Sequence, residues 1–421
     1  MDYYVWTVGC QMNKADSQSL ADGLEQLGYT EAQKAEDADI IVLNSCVVRQ
    51  SAENRVASKL GALRGIKKLR PEITVALMGC MVGADVYELH GRFPHVDMFM
   101  GPQQFKPLFD VAQKRISSAA SFERVASRVS PAAFVSIIHG CDNFCSYCIV
   151  PYRRGREVSS PIIEIEAEVK SLVARGAKEV ILLGQNVDSY GHDLPEKPDL
   201  ADLLERLNDI DGLYRIRFLT SHPKDMSDRL IQAIARLDKV CEHISLPFQS
   251  GDDDIVKAMR RGYTIDLYRR LVEKIRNVMP NVAIGTDLIV GFPGETDAQF
   301  EKSHALLADL RFDTVHAAMY SPRPETYAAR KLIDDVQPDI KKTRLDKIEV
   351  LQEKIATGIN ARLLGTTVEI LVEGSKRGRW YGRTRTDKLV FFDDERNLLG
   401  HMVKVKLDKT SPWSLQGSIA K

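Results

Sequence analysis

The hydrophobic pattern changes character twice along the chain. Within residues 1–112, three short runs (Tyr3 to Thr7, Ile40 to Asn44, Thr74 to Met78) are apolar and largely β-branched, and helix-like stretches at 16–28 and 51–69 separate them. This predicts β-α-β-α-β, an open parallel α/β sheet. Residues 113–133, rich in Ser, Ala and Arg and carrying Pro131, read as a linker. Within 134–360, six apolar runs follow: Phe134 to Ile138, Glu179 to Leu183, Arg215 to Leu219, Ile244 to Phe248, Ala283 to Val290 and Thr314 to Met319. They alternate with stretches of helical period such as Ile163 to Arg175, Ala201 to Leu207, Asp225 to Leu237 and Asp266 to Val278. Six β-α units predict a parallel (β/α)6 barrel, whole or partial, with its site at the strand carboxyl ends; an open doubly wound sheet fits the same alternation. An amphipathic stretch, Pro338 to Leu363, leads into residues 361–421. There the short runs Thr367 to Val372, Arg379 to Thr384, Leu389 to Phe392 and His401 to Leu407, broken by Gly- and Asp-rich turns, predict a small all-β barrel.

With 421 residues, 44% hydrophobic and 28% charged, the chain is a globular protein of several domains, which excludes a disordered or fibrous role. Its net charge is zero, so a polyanion partner has to be held by a local patch. The tail offers one: residues 361–421 hold 12 Lys/Arg against 7 Asp/Glu. Lys376, Arg377, Arg379, Trp380, Tyr381, Arg383 and Arg385 there mix cations with aromatics, a composition suited to phosphates and stacked bases. No basic segment precedes an apolar one at the N-terminus, and no run of about 18 apolar residues occurs, so a cytoplasmic location and no membrane partner are expected.

Seven cysteines (10, 46, 80, 141, 145, 148 and 241) without a secretion signal argue for reduced thiols with a chemical use. Cys10, Cys46 and Cys80 each follow one of the first three predicted strands, where an open parallel sheet binds ligands. Cys141, Cys145 and Cys148 form C-x3-C-x2-C directly after the first strand of the second pattern. Structural zinc needs four ligands, and no fourth Cys or His stands at a suitable spacing. Three thiolates suit a [4Fe-4S] cluster with one iron left open to another ligand. Cys241 fits neither set and reads as a core residue.

The C-x3-C-x2-C spacing resembles the radical S-adenosylmethionine (SAM) superfamily. That resemblance implies that SAM chelates the open iron and is split into a 5′-deoxyadenosyl radical. Other strand-end segments are similar to superfamily positions that hold SAM: Tyr147 near the adenine, Gly184, Gln185 and Asn186 for the amino group, Gln249, Arg261 for the carboxylate, and Asp287, Ile289 and Gly291 in the fifth-strand motif. With both cysteine sets in view, nearly the whole chain resembles the methylthiotransferase family, closest to its MiaB-type tRNA enzymes. The carrying segments include Val8-Gly9-Cys10-Gln11-Met12-Asn13 with Asp16-Ser17, Asn44-Ser45-Cys46-Val47-Val48-Arg49, Gly79-Cys80, Leu183-Gly184-Gln185-Asn186, Thr220-Ser221-His222-Pro223, Leu246-Pro247-Phe248-Gln249-Ser250-Gly251 and Tyr320-Ser321-Pro322-Arg323-Pro324.

The family implies that Cys10, Cys46 and Cys80 hold a second, auxiliary [4Fe-4S] cluster, and that the tail is a TRAM domain gripping RNA through Lys376, Arg377, Arg379, Trp380, Arg383 and Arg385. It implies two uses of SAM, as methyl donor and as radical source, and insertion of CH3-S at C2 of an N6-isopentenyl adenosine next to the anticodon of tRNA. A monomer and a flavodoxin-type electron donor go with it. Threonylcarbamoyl-adenosine tRNA or a ribosomal-protein aspartate are alternative substrates within the family, and a non-catalytic iron-sulfur RNA-binding protein is an alternative outside it. Glu325 stands where the family usually has Gly, and Ser160 where Arg often follows Val-Ser.

Overall fold

The computed structural model describes residues 1–47, 50–83, 86–116 and 129–420, in two compact units. Val48 and Arg49 of the family segments, and 117–128 of the expected linker, lie outside the described residues. The first unit comprises Met1–Arg128 as far as described, His139–Asp142 and Cys148–Glu157. The second comprises Val129–Ile138, Asn143–Tyr147 and Val158–Lys421 as far as described.

The first unit runs β1 (Asp2–Thr7), α1 (Gln11–Gln26), β2 (Thr30–Glu31), β3 (Ile40–Ser45), α2 (Gln50–Leu69), β4 (Thr74–Gly79), α3 (Tyr87–Arg92), β5 (Met98–Met100) and α4 (Lys106–Ile116). All strands pair parallel, in the order β2-β1-β3-β4-β5. Alternation along β3 builds two cores. Ile40 and Val42 meet Leu20 and Leu24 of α1 and Leu108 of α4, while Ile41 and Leu43 meet Val56, Leu60 and Leu63 of α2. Helix α4 continues to Ile116, into the stretch that its Ser/Ala/Arg composition marks as linker: Gln113 to Ile116 still complete a helical turn.

The chain continues through β6 (Ala132–Ser136), β7 (Ile138–His139), α5 (Val150–Arg154), β8 (Val158–Ser159), α6 (Ile162–Ala174), β9 (Glu179–Leu183), α7 (Leu200–Asn208), β10 (Arg215–Phe218), α8 (Asp228–Arg236), β11 (His243–Ser245), α9 (Asp253–Ala258), α10 (Ile265–Val278), β12 (Ala283–Val290), α11 (Asp297–Leu310), β13 (Thr314–Met319), α12 (Tyr327–Lys331) and α13 (Pro338–Ala361). Two three-stranded parallel sheets, β10-β9-β6 and β11-β12-β13, are joined where Ile216 bridges Val240. The strands follow in chain order, β6-β9-β10 and then β11-β12-β13, without the order reversal of a doubly wound sheet, and among the described residues no ladder joins β13 to β6, so the barrel is partial. Strand β11 is shorter than expected because Pro247 has no N–H for the ladder, and Gln249 turns the backbone into the left-handed region (φ 64°).

The tail closes a barrel of β14 (Thr367–Lys376), β15 (Arg379–Arg383), β16 (Leu389–Phe392), β17 (Met402–Thr410) and β18 (Leu415–Ile419), in the order β14-β15-β16-β18-β17. Strand β18 escapes the hydrophobic pattern because Gln-Gly-Ser fills its centre, yet it seals the barrel between β16 and β17. Among the described residues no helix is long and apolar enough to cross a membrane.

Candidate functional site

In the first unit the strand order places its switch point between β1 and β3, and ligands of such sheets sit outside the carboxyl ends there. Cys10, Cys46 and Cys80 follow the adjacent strands β1, β3 and β4, whose ends are in register: Thr7 faces Asn44, and Ser45 faces Gly79. The glycines before two of the thiols make this approach possible. A Cβ on Gly9 (φ +137°) would lie 2.6 Å from Cys46 Cβ, and one on Gly79 (φ +97°) 2.4 Å from Asn44 Oδ1.

Buried Asn13 donates to Asn44 Oδ1 (2.8 Å) and the Ser45 carbonyl (2.7 Å), which ties the first turn of α1 to the end of β3. Cys10 stands at the N-cap position of α1, and its thiol donates to Asn13 Oδ1 (3.1 Å). Burial pushes the Cys80 thiol up to about 11, Arg154 pulls it down, and Cys10 and Cys46 push it further up. The three thiols therefore share one electrostatic neighbourhood.

Arg154 is itself paired with Asp16 at 2.6 Å, both side chains buried. Beside it a cavity of about 530 Å³ is lined by Phe99, Gln103, His139, Tyr152, Arg153 and Arg154, and His139 Nε2 meets Gln103 Nε2 at 3.0 Å. Burial holds the His139 pKa below the usual histidine range. Among the described residues no three Cys, His, Asp or Glu side chains converge on a single ion. An iron-sulfur cluster does not require that, because each thiolate takes a different iron.

Of the second set, Cys141 donates its backbone N–H to the Gly155 carbonyl (3.1 Å) within the first unit, and Cys148 there is part-exposed. Cys145 belongs to the second unit, 8% exposed. Its neighbour Ser146 is anchored by donating to the Ala258 carbonyl (2.8 Å), and Tyr147 packs with Ile289 on Met259, Phe292 and Tyr320.

Several expected SAM residues gather at the strand carboxyl ends. Gly184 follows β9 against Ile138. Gln185 Oε1, Asn186 Oδ1, His222 Nε2 and Gln249 Oε1 are all buried without a hydrogen-bond partner. Buried polar atoms are rarely left so, and a polar ligand would satisfy them. Asn186 is fixed by donating to Asp225 Oδ2 (2.7 Å). His222, quoted above only as part of a family segment, has its pKa pushed to about 2 by burial, Arg261 and Lys224, so it is neutral. Its Nδ1 accepts the Lys224 N–H (3.2 Å), which leaves the proton on Nε2. Gln249 is locked to β12 by backbone bonds to Asp287 and Ile289 (2.9 and 3.0 Å).

The Gly291 N–H is taken by Glu295 Oε2 (2.6 Å), which braces the fifth-strand motif from within. Arg261 turns to Cys145 Sγ (3.7 Å) and the Pro247 carbonyl (2.9 Å). At the departure noted above, Glu325 adopts φ 74°, the left-handed backbone that favours the glycine usual in the family.

The basic tail also divides. Lys376 and Arg377 are exposed at a hairpin tip whose two turn residues, Arg377 and Gly378, both have positive φ. Arg379 pairs with Asp393 (3.1 Å), and half-buried Trp380 donates to the Asp394 carbonyl (3.0 Å). Part-exposed Arg383 and Arg385 are held by protein partners. Arg385 forks onto Glu242 (2.8 Å) and the carbonyls of Asp238 and Val240, and Arg383 pairs with Asp387 (3.2 Å). Their loop docks on the amino ends of the barrel strands, where buried Arg215 and Arg217 donate to the carbonyls of Arg383, Thr384 and Arg385, and Arg217 pairs with Glu179 (2.9 Å). Cys241 is buried beside this cluster.

Residues 135–307 match the Radical SAM superfamily, 2–101 the Uncharacterized protein family UPF0004, and 361–420 the TRAM domain. The chain is 53% identical over 417 residues to a tRNA-2-methylthio-N(6)-dimethylallyladenosine synthase of Dehalococcoides mccartyi (strain CBDB1), covering 99% of this chain and 98% of the relative. It is 49% identical to the protein of the same name from Chloroflexus aurantiacus, covering 99% and 91%. Among solved structures, the radical SAM methyltransferase TsrM from Kitasatospora setae, with cobalamin and a [4Fe-4S] cluster bound, has a TM-score of 0.58 at 13% identity, over 90% of this chain and 80% of that one, a likeness of fold.

Proposed function

The chain belongs to the family of tRNA-2-methylthio-N(6)-dimethylallyladenosine synthases, and from that membership we propose that it inserts CH3-S at C2 of N6-isopentenyl adenosine next to the anticodon of tRNA. It is a sulfur-group transferase that uses SAM and an iron-sulfur cluster and carries a TRAM domain. The observation that carries the reading is the near-full-length identity to enzymes of that name, and the adjacent, in-register strand ends that Cys10, Cys46 and Cys80 follow support it.

In this reading Cys141, Cys145 and Cys148 hold one [4Fe-4S] cluster and Cys10, Cys46 and Cys80 a second, within residues 134–360 and 1–112 respectively. When bound, clusters with one open iron and SAM supply one-electron chemistry able to activate a C–H bond, and a carrier for sulfur. The chain does the rest. Neutral His222 offers an N–H, Gln185, Asn186 and Gln249 offer amide oxygens to a polar ligand, and Tyr147 with Ile289 offers an apolar face. Residues 361–421 bring RNA, with exposed Lys376 and Arg377 facing phosphate and Arg379 and Trp380 beside them. One chain carries all six cysteines, which supports a monomer, and a flavodoxin-type protein would suit the one-electron supply.

The test is to incubate the anaerobically reconstituted chain with SAM, a reductant and isopentenyl-modified tRNA, and to look for the 2-methylthio nucleoside by mass spectrometry. Formation of 5′-deoxyadenosine without that nucleoside would move the substrate elsewhere. Neither product from a cluster-replete sample would sink the reading.

A further inference from the structure

We propose that Arg261 sets how readily the cluster held by Cys145 accepts its electron, through its Nη1 hydrogen bond to the Cys145 sulfur. The inference rests on the cluster assignment proposed above. Arg261 is 6% exposed and in contact with Cys145 Sγ at 3.7 Å. Its other nitrogens are committed to protein: Nη2 donates to the Pro247 carbonyl (2.9 Å) and Nε to the Tyr263 hydroxyl (3.4 Å). Tyr263 is fixed in turn by donating to the Phe248 carbonyl (2.7 Å), and its ring lies 5.5 Å from the guanidinium carbon. The fork is thus clamped in place, with one arm on the sulfur.

Charge makes the same point. Buried Arg217 and Arg344 are answered by Glu179 (2.9 Å) and Glu295 (2.7 Å), whereas among the described residues no carboxylate pairs with Arg261. A buried guanidinium without a counter-charge is costly, and the group in contact that can carry negative charge is the Cys145 thiolate. Uptake of an electron adds one negative charge to the cluster. A fixed cation and N–H donor at a ligand sulfur stabilise that reduced form and raise the potential. A SAM carboxylate, the partner expected from family resemblance, would have to share a guanidinium already spread over three acceptors.

The experiment uses the full-length chain with Cys10, Cys46 and Cys80 replaced by Ala, so that a single cluster remains. The reduced fraction is followed by electron paramagnetic resonance against a graded one-electron reductant, without SAM. Arg261→Gln is expected to shift the reduction equilibrium at least tenfold toward the oxidised form, a midpoint lower by about 59 mV for a one-electron couple. Arg261→Lys, which keeps the charge but loses the fork, should fall between Gln and the parent. Iron content and melting temperature check folding, and Arg261→Lys carries the test if the Gln variant does not hold iron. Reduction equilibria of both variants within threefold of the parent overturn the proposal, and a loss of SAM affinity at an unchanged midpoint returns Arg261 to the carboxylate. A parent that binds no cluster overturns the ligand assignment itself, and shows it before any Arg261 variant is made.

Discussion

At the amino ends of β9, β10 and β11, Glu179, Arg215, Arg217 and His243 are buried against charges and carbonyls of the C-terminal barrel; beyond the carboxyl ends of the same strands, Gln185, Asn186, His222 and Gln249 each keep a buried polar atom without a partner. Glu179 Oε2, Arg215 Nε and His243 Nδ1 also lack a hydrogen bond, but there opposite charges stand close: Arg215 lies 3.9 Å from Glu179 Oε2, and Asp387 faces His243 and Arg217. One end of the sheet has spent its polarity on joining two domains. The other has uncharged hydrogen-bonding groups held in place by neighbours, which suits a ligand that arrives and leaves.

The largest way to break this contrast is at the docking end. Arg217→Met leaves Glu179 buried without its closest cation and should cost about 3–5 kcal/mol. Chemical denaturation of the cluster-replete chain would read that loss, with SAM affinity unchanged. Equal loss in both would mean that the two ends are not separable.

Acid sharpens the same end. Burial is the main cause that pushes His243 down to about 4, with Arg217 and Arg383 adding to it against Asp387 and Asp313. The unfolded chain takes up that proton near pH 6.5 and the folded chain does not, so stability is untouched above pH 6.5 and falls as pH drops toward 4. The slope from this group is at most ~1.4 kcal/mol per pH unit. His243→Gln should flatten it, and denaturation midpoints from pH 7 to 4.5 would show whether it does.

A smaller effect separates docked from exposed cations. Lys376→Ala with Arg377→Ala should weaken tRNA binding and reduce the salt slope of the affinity by roughly 1 to 2, without moving the melting temperature. Arg385→Ala should do the reverse, lowering the melting temperature because it unpairs Glu242.

The carboxyl ends were largely legible in the sequence because their chemistry is local. C-x3-C-x2-C lies on one loop, and a cysteine after each of β1, β3 and β4 needs only strand periodicity to be brought to one edge. The amino ends were not. Arg215-Ile216-Arg217 reads as alternation along an ordinary strand, and its partners stand 154 to 168 residues away in a domain whose docking no periodicity announces. Nor does a mix of cations and aromatics announce that Arg385 forks onto Glu242, 143 residues earlier in the chain. Asn13, Asp16 and His222 lay inside quoted family segments, but only the fold shows Asn13 bracing the thiol edge, Asp16 pairing Arg154 and His222 as a neutral donor.

The most direct measurement is equilibrium SAM binding to three cluster-replete chains, unmodified, Gln249→Ala and Arg217→Met, each with its melting temperature. The account predicts that Gln249→Ala binds SAM about tenfold more weakly, a loss of ~1.4 kcal/mol, while melting as the unmodified chain does, and that Arg217→Met melts lower while binding SAM unchanged. Full SAM affinity in Gln249→Ala, or loss of SAM binding in Arg217→Met in step with its stability, would contradict it.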